Sequence, residues 1–247
     1  IAARVCYAGR AVRRGTVLAD RFVLERLAGA GGMGSVYRAR DLATDEPVAL
    51  KVIAEASGHD LRFAREAELL ASMSHPGIVQ LYEFDEHDGV AFIAMEFVEG
   101  PTLAQRMERG GRLDDAEIDE LMLQLLDALQ HAHEQRVWHR DIKPANLIVT
   151  RDGRLKVADF GIARVDGGGV TQAGKLVGTP IYIAPEQFTG GAIDHRVDLY
   201  AAGVVMYQLL AGQSPFKGTT QELIYQAVHQ LPPLPGRLPG HGRGSQD

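Results

Sequence analysis

Cysteine is almost absent from this sequence of 247 residues. Cys6 is the only one, so the chain can form no intrachain disulfide and no zinc site built on cysteine thiolates. A single cysteine fits a reducing compartment without proving one, and a cytoplasmic location is expected. Long apolar runs are absent as well. The longest, residues 199–210, contains Gln208 and is too short to span a bilayer.

Excess positive charge is also missing. Lysine and arginine number 26 against 32 aspartates and glutamates, which gives a formal net charge of −6. A surface for general nucleic-acid binding is therefore not expected, and an anionic ligand would need a local site. Hydrophobic residues make up 45% and charged residues 23%. These proportions are typical of a globular protein and exclude a disordered tail, a collagen-like repeat or a coiled-coil rod.

The first hundred residues have the pattern of a small sheet that carries one helix. Apolar and β-branched residues within 22–52 are separated by glycines and turn residues, as in strands. Two further apolar runs, 78–84 and 90–97, are also read as strands. A helix is predicted over 60–73 because its apolar residues recur close to one face. Residues 1–20 have no clear period and are expected to form a leader.

Helical periodicity dominates the second part of the sequence. Residues 114–135 form the clearest amphipathic pattern, and Asp114 followed by Glu117 predicts a capping box at its start. Residues 194–211 are apolar almost all round, which predicts a buried helix. Residues 231–247 alternate proline with glycine and are expected to be a linker or disordered.

A glycine-rich segment occupies residues 29–36. It lies between two predicted strands, whereas the glycines of a dinucleotide-binding fold open a helix. Between strands, such glycines would form a hairpin whose backbone N–H groups cover phosphates. For this motif alone, an ordinary hairpin turn stays open as the alternative. The segment consists of Gly29, Ala30, Gly31, Gly32, Met33, Gly34, Ser35 and Val36.

Ionisable residues suited to phosphoryl transfer follow in a fixed order. Lys51 lies in a strand-like run, and Glu66 on the next predicted helix would hold its ammonium towards ligand phosphates. Residues 139–146 and 159–161 then supply two aspartates, a lysine and an asparagine. Phosphoryl transfer needs a carboxylate to accept a hydroxyl proton, cations to neutralise the transferring group, and oxygen ligands for Mg²⁺. These residues supply each part.

Two other patterns carry less weight. Residues 169–176 nearly match a Walker A loop, but Leu176 stands where a Mg²⁺-binding Ser or Thr is needed, and no strand precedes it. His131 and His133 are two residues apart on a helix and do not share a face, so they cannot easily chelate a metal. They are expected to be surface or interface residues.

With its motifs in this order, the sequence resembles Ser/Thr protein kinases, and most of all bacterial receptor-type Ser/Thr kinases. The resemblance runs over residues 29–216 and includes 75–79 and 178–187. It implies an α+β, bilobal fold with a small antiparallel β-sheet lobe carrying one helix and a larger, mostly helical lobe. The implied division is a leader over 1–20, a kinase domain over 21–230 with lobes at about 21–95 and 100–230, and a Pro/Gly-rich tail over 231–247.

The resemblance also implies a role for each motif residue. Lys51 would contact the α- and β-phosphates of ATP and pair with Glu66, and Asp141 would accept the proton of a substrate hydroxyl. Asn146 and Asp159 would hold Mg²⁺, with Mn²⁺ as an alternative. Lys143 would lie near the γ-phosphate, and Thr179 would bond to Asp141 and Lys143. Met95 would be the gatekeeper, and Glu96 to Val98 would form the hinge that binds adenine. The residues implied around the adenine ring are Val36, Ala49 and Ile148.

Self-modification and the partners follow from the same resemblance. The Arg140 side chain would pair with a phosphate on the loop that follows Asp159, and Thr171 is the expected acceptor of autophosphorylation. The expected partners are ATP, protein substrates with Ser or Thr, and a second copy of the chain; no nucleic acid is expected. A homodimer and a membrane-anchored longer parent both stay open.

The sequence departs from the family near its end. After a helix predicted at 221–229, two more helices would be expected, with an arginine that pairs with Glu186. A truncated domain or a changed reading frame near Leu231 is therefore expected. This leaves open a catalytically weak, pseudokinase-like ATP-binding scaffold. A small-molecule phosphotransferase is the third alternative, although residues 184–186 resemble a docking surface for polypeptides.

Overall fold

The chain divides into two compact units in the computed structural model. The first comprises residues 1–100 and 156–165, and the second comprises 101–155 and 166–247. Within them, the structure describes residues 6–7, 10–11, 13–31, 34–53, 68–110, 113–160 and 180–235. The domain boundaries inferred from the sequence stay predictions.

An antiparallel sheet of six strands dominates the first unit. In spatial order its strands are β3 (Val17–Leu18), β4 (Phe22–Gly31), β5 (Gly34–Asp41), β6 (Pro47–Ile53), β8 (Val90–Glu96) and β7 (Leu81–His87). Strands β1 (Cys6–Tyr7) and β2 (Arg10–Ala11) pair with each other. Residues 68–72 are helical and are labelled α1. Strand β10 (Leu155–Val157) crosses the boundary between the units.

The core of the first unit lies on one face of this sheet. Because side chains alternate along a strand, Leu50 and Val52 of β6 point to the same side, where they join Phe92 of β8. Leu18 is also fully buried in this cluster. The sheet therefore begins inside the segment that was expected to be a leader.

The second unit is mostly helical. Its helices are α2 (Leu103–Glu108), α3 (Asp115–Glu134), α4 (Pro185–Thr189), α5 (Arg196–Ala211) and α6 (Thr220–His229). Two short 3₁₀ turns, Pro144–Asn146 and Pro180–Tyr182, and strand β9 (Leu147–Val149) complete its described elements. Helices α3 and α5 pack against each other.

Helix α3 confirms the clearest helix prediction, with one difference at its start. Asp114 is the N-cap, and its Oδ1 accepts a bond from the N–H of Glu117 at 2.8 Å. The Glu117 carboxylate accepts from Arg106 Nη2 at 2.5 Å. Among the described residues no bond returns from Glu117 to the Asp114 backbone, so only half of the predicted capping box forms.

Helix α5 confirms the helix predicted over residues 194–211, and most of its apolar residues are buried, as expected. Val197, Ala201 and Val205 are buried, whereas Leu199 and Met206 remain partly exposed. Gln208, the polar residue in this apolar run, accepts from the Tyr182 hydroxyl at 2.8 Å. Burial raises the pKa of Tyr182 above its usual value. Within the described part of the chain, no helix combines the length and apolarity that crossing a membrane requires.

Candidate active site

The register of the sheet gathers the first group of candidate residues on one face. Lys51 of β6 lies between Val36 of β5 and Ile93 of β8, and Ala49 is paired with Met95. These residues share the face opposite the core cluster, because paired residues in antiparallel strands point the same way. Ser35 pairs with Val52 on the core side and is buried. Only its backbone would reach a ligand on the Lys51 face.

The glycine-rich segment forms the β4–β5 hairpin, as the sequence predicts. Gly31 and Gly34 are paired at its described end, and Gly32 and Met33 lie outside the described residues. Gly34 has a φ of +138°, and a Cβ added there would come within 2.0 Å of the Val52 carbonyl oxygen. Any other residue would therefore clash with β6. Gly29, by contrast, has open space around it.

Lys51 is held by the carboxylate of Asp159, the first residue of the segment 159–161. Its Nζ lies 2.7 Å from Asp159 Oδ1, and both side chains are partly buried. Asp159 has a φ of +58°, a left-handed conformation that is uncommon outside glycine and frequent at functional sites. Glu66, the predicted partner of Lys51, lies outside the described residues.

The predicted hinge follows the last residues of β8. Met95 is buried beside Ala49 and Leu81. The N–H of Glu96 donates to the Gln80 carbonyl at 2.8 Å. Within the part of the chain that the structure describes, no backbone bond uses the N–H of Val98. The Val98 N–H is thus able to donate to a flat heterocycle.

The second group of candidate residues lies in the second unit, around Asp141. Lys143 Nζ lies 2.7 Å from Asp141 Oδ2. Asn146 Nδ2 donates to the backbone carbonyl of Asp141 at 2.8 Å and to its Oδ2 at 3.1 Å. These bonds fix the orientation of the Asp141 carboxylate. Ile148, also in this unit, forms an isolated bridge with Thr102.

Asp198 of α5 holds this segment in place, and the sequence analysis did not identify it. The side chain is fully buried. Its Oδ2 accepts from the N–H of His139 at 2.8 Å, and its Oδ1 accepts from the N–H of Arg140 at 2.7 Å. Arg140 has a φ of +59°, so these bonds stabilise a strained backbone. The available signal was a carboxylate inside an apolar helix, which must be paired if it is buried.

His133 is a third donor to the same carboxylate. Its Nε2 lies 2.8 Å from Asp198 Oδ2, and its side chain is 12% exposed. The expectation of a surface or interface histidine was therefore wrong for His133, because the buried carboxylate draws the ring inwards. His131 bonds instead to the side chain of Gln135 at 2.8 Å.

Each group, taken by itself, offers oxygen atoms of the kind that suits a hard cation. Asp159 offers a carboxylate, and both bonds of Asn146 use Nδ2, so neither consumes its Oδ1. Carboxylate and amide oxygens are the ligands that Mg²⁺ prefers. Among the described residues, no group of three or more His, Cys, Asp or Glu side chains could hold a metal by itself. Thr171 and Thr179 lie outside the described residues.

Comparison with known proteins identifies the class. The family model for the protein kinase domain matches residues 22–235. Serine/threonine-protein kinase PrkC of Bacillus subtilis is 38% identical over 209 residues, covering 83% of this chain and 32% of PrkC. Serine/threonine-protein kinase pkn3 of Myxococcus xanthus is 42% identical over 217 residues, covering 82% of this chain and 40% of pkn3. Serine/threonine-protein kinase PknB of Mycobacterium tuberculosis is 38% identical over 227 residues, covering 87% of this chain and 36% of PknB.

The chain belongs to the protein kinase family. The family resemblance and the α+β class expected from the sequence are confirmed. Members of this family use ATP and a divalent metal ion. The chain spans between 32% and 40% of the length of these three curated relatives.

Proposed function

We propose that this chain is the catalytic domain of a Ser/Thr protein kinase that transfers the γ-phosphoryl group of ATP to protein hydroxyls. One observation carries the proposal. Asp141 is held by Lys143 and Asn146 at hydrogen-bonding distance, on a backbone fixed by a buried carboxylate. This is a preorganised base with a cation beside it, the arrangement that proton abstraction next to a transferring phosphoryl group requires.

The first unit would bind and orient the nucleotide. Lys51 Nζ would donate to phosphate oxygens, and Asp159, bonded to Lys51 at 2.7 Å, would supply a carboxylate ligand to the metal ion. Val36 and Ala49 would pack against the adenine ring, and Met95 would be the gatekeeper. The Glu96 carbonyl and the Val98 N–H bond its edge. Bound Mg²⁺ would neutralise phosphate charge.

The second unit would supply the chemistry at the acceptor. Asp141 accepts the hydroxyl proton, and Lys143 offsets negative charge at the transferring group. The Oδ1 of Asn146 would be a ligand for the metal ion while its Nδ2 stays bonded to Asp141. The roles of Glu66, Thr179 and the glycine-rich segment, and autophosphorylation at Thr171, belong to the same proposal. The cytoplasmic location stays a prediction.

Labelled ATP provides the test. The full chain is incubated with labelled ATP, Mg²⁺ and a generic Ser/Thr protein acceptor, beside Asp141→Asn and the matched exposed control Asp152→Asn. Transfer to Ser or Thr should fall by at least about 100-fold in Asp141→Asn and stay unchanged in Asp152→Asn. Mapping the modified sites by mass spectrometry checks Thr171.

Other outcomes would favour the alternatives. Nucleotide binding with no transfer to any acceptor, from folded protein, would support the scaffold function. Transfer to small alcohols but to no protein would support a small-molecule phosphotransferase. Equal activity of wild type and Asp141→Asn would contradict the assignment of the base.

A further inference from the structure

Two neighbouring hinge side chains are each held by cations from other strands. The first is Glu96, whose Oε2 lies 2.7 Å from Lys156 Nζ of β10. The same oxygen accepts from the Gln80 N–H at 3.2 Å, while the Glu96 N–H donates to the Gln80 carbonyl at 2.8 Å. The carboxylate and the backbone of Glu96 are therefore both fixed.

The second is Phe97, whose ring receives two guanidinium groups. Arg26 of β4 and Arg38 of β5 lie 5.6 Å and 5.3 Å from the ring centroid. They are directly opposite each other in the sheet, where like charges repel. The Phe97 ring face attracts both cations, and Glu25 forms an ion pair with Arg38. The repulsion between the arginines is thus offset at the hinge.

The Lys156–Glu96 pair differs from ordinary surface pairs. Its side chains are 16% and 28% exposed. In the Arg154–Asp152 pair, two residues earlier on the chain, they are 65% and 54% exposed. Exposed pairs contribute little because water screens them, whereas a sheltered pair restrains the groups it joins.

We propose that Lys156, Arg26 and Arg38 are positioning residues for adenine recognition, acting through Glu96 and Phe97. We call these five residues the hinge brace. By fixing both side chains, the brace fixes the Glu96 carbonyl and the Val98 N–H that lie on either side of Phe97. The inference rests on the proposed nucleotide-binding role of the hinge. It adds residues outside the kinase motifs that set the affinity for the base.

The brace makes a prediction specific to the base. Removing the charge of Lys156 should weaken binding of adenosine, ADP and ATP by the same factor, because all three carry adenine. Lys156 also lies three residues before Asp159. An effect through Asp159 would weaken the binding of ATP with Mg²⁺ and leave the binding of adenosine unchanged, since adenosine has no phosphate.

Calorimetric titration of the full chain with the three ligands separates these routes. Lys156→Met should lower the affinity for each ligand by about three- to tenfold, and Lys156→Arg should restore most of that affinity. Arg154→Met is the matched control and should change the affinity for none of the three ligands. Phe97→Leu should weaken all three ligands as well, since it removes the ring that both arginines contact. Thermal unfolding of each variant is followed to establish that it is folded.

The outcomes are separable. Unchanged adenosine affinity in Lys156→Met, or an equal loss in Arg154→Met, would overturn the brace. Adenosine binding that depends on Lys156, in a chain that transfers no phosphoryl group, would leave the brace standing and refute the kinase activity. No binding of adenosine or ATP by folded wild-type protein would refute both.

Discussion

The two units hold their candidate functional side chains by different physical means. In the first, Val36, Lys51 and Ile93 lie side by side because a continuous ladder of backbone hydrogen bonds fixes their register. In the second, residues 139–143 have no regular structure. Two of their backbone N–H groups, those of His139 and Arg140, share one acceptor side chain, the buried carboxylate of Asp198.

This difference shows where each group is vulnerable. A ladder shares the restraint among many bonds, so one side-chain change in the first unit disturbs the site only where strands approach unusually closely. In the segment before Asp141, two backbone N–H groups rely on one side chain, and removing that side chain leaves both of them unpaired. Substitutions can test this contrast directly.

The largest loss of stability is expected on substitution of Asp198, the acceptor for two backbone N–H groups of the second unit. Asp198→Ala should lower the free energy of unfolding by about 3 kcal/mol, because it leaves the N–H groups of His139 and Arg140 without their acceptor. Urea denaturation measures the loss. Asp194→Asn, at a partly exposed carboxylate that lies two residues before the same helix and accepts its hydrogen bonds from Arg196, is the control and should have a much smaller effect.

A second variant covers the case in which Asp198→Ala does not fold. Asp198→Asn keeps the shape but places a donor next to donors, so phosphoryl transfer should fall more than adenosine affinity. Equal stability of Asp198→Ala and Asp194→Asn would contradict the difference between the units.

The next largest effect is expected at the closest approach within the first unit. Gly34→Ala places a Cβ against the Val52 carbonyl oxygen at a positive φ, and should lower the free energy of unfolding by at least about 2 kcal/mol. Gly29→Ala meets open space and should change it by less than about 0.5 kcal/mol. Thermal or urea denaturation of both variants checks this. Similar losses would show that the hairpin is uniformly intolerant of side chains.

The smallest effect is expected in an ion pair of the sheet that lies outside the candidate site. Arg21 binds the Asp41 carboxylate at 2.6 and 2.8 Å. This lowers the pKa of Asp41 below its ordinary value of 3.8. The folded state therefore holds this proton less tightly than the unfolded state. The stabilisation is complete above the ordinary pKa and is lost as pH falls through the lowered one.

The unfolding free energy of the wild type should thus decrease as the pH falls below about 4, by about 1 kcal/mol from this pair. Asp41→Asn should show a shallower acid decrease, whereas Asp88→Asn, at an exposed turn, should keep the wild-type slope. Urea denaturation at a series of acidic pH values provides the comparison. Parallel slopes for wild type and Asp41→Asn would exclude the pair as the cause.

Local patterns predicted much of the fold. Apolar and β-branched runs separated by glycines and turn residues identified the strands within 22–52, and helical periodicity located α3 and α5 closely. Motif order identified the family, and Lys51, Asp141, Asn146 and Asp159 were selected as candidates from their chemical types. The half-formed capping box shows the limit of such patterns, because Glu117 has a competing partner, Arg106, that no local rule contains.

The sequence by itself determined the family, the α+β class and the identity of the candidate residues, because each depends on short-range order: alternation, period and motif spacing. Only the tertiary structure decided what holds those residues. The Asp198 carboxylate lies 59 residues from His139 along the chain, and the Lys156–Glu96 pair joins residues 60 apart. Such partners are chosen by burial, since a carboxylate removed from water must find donors wherever the fold brings them.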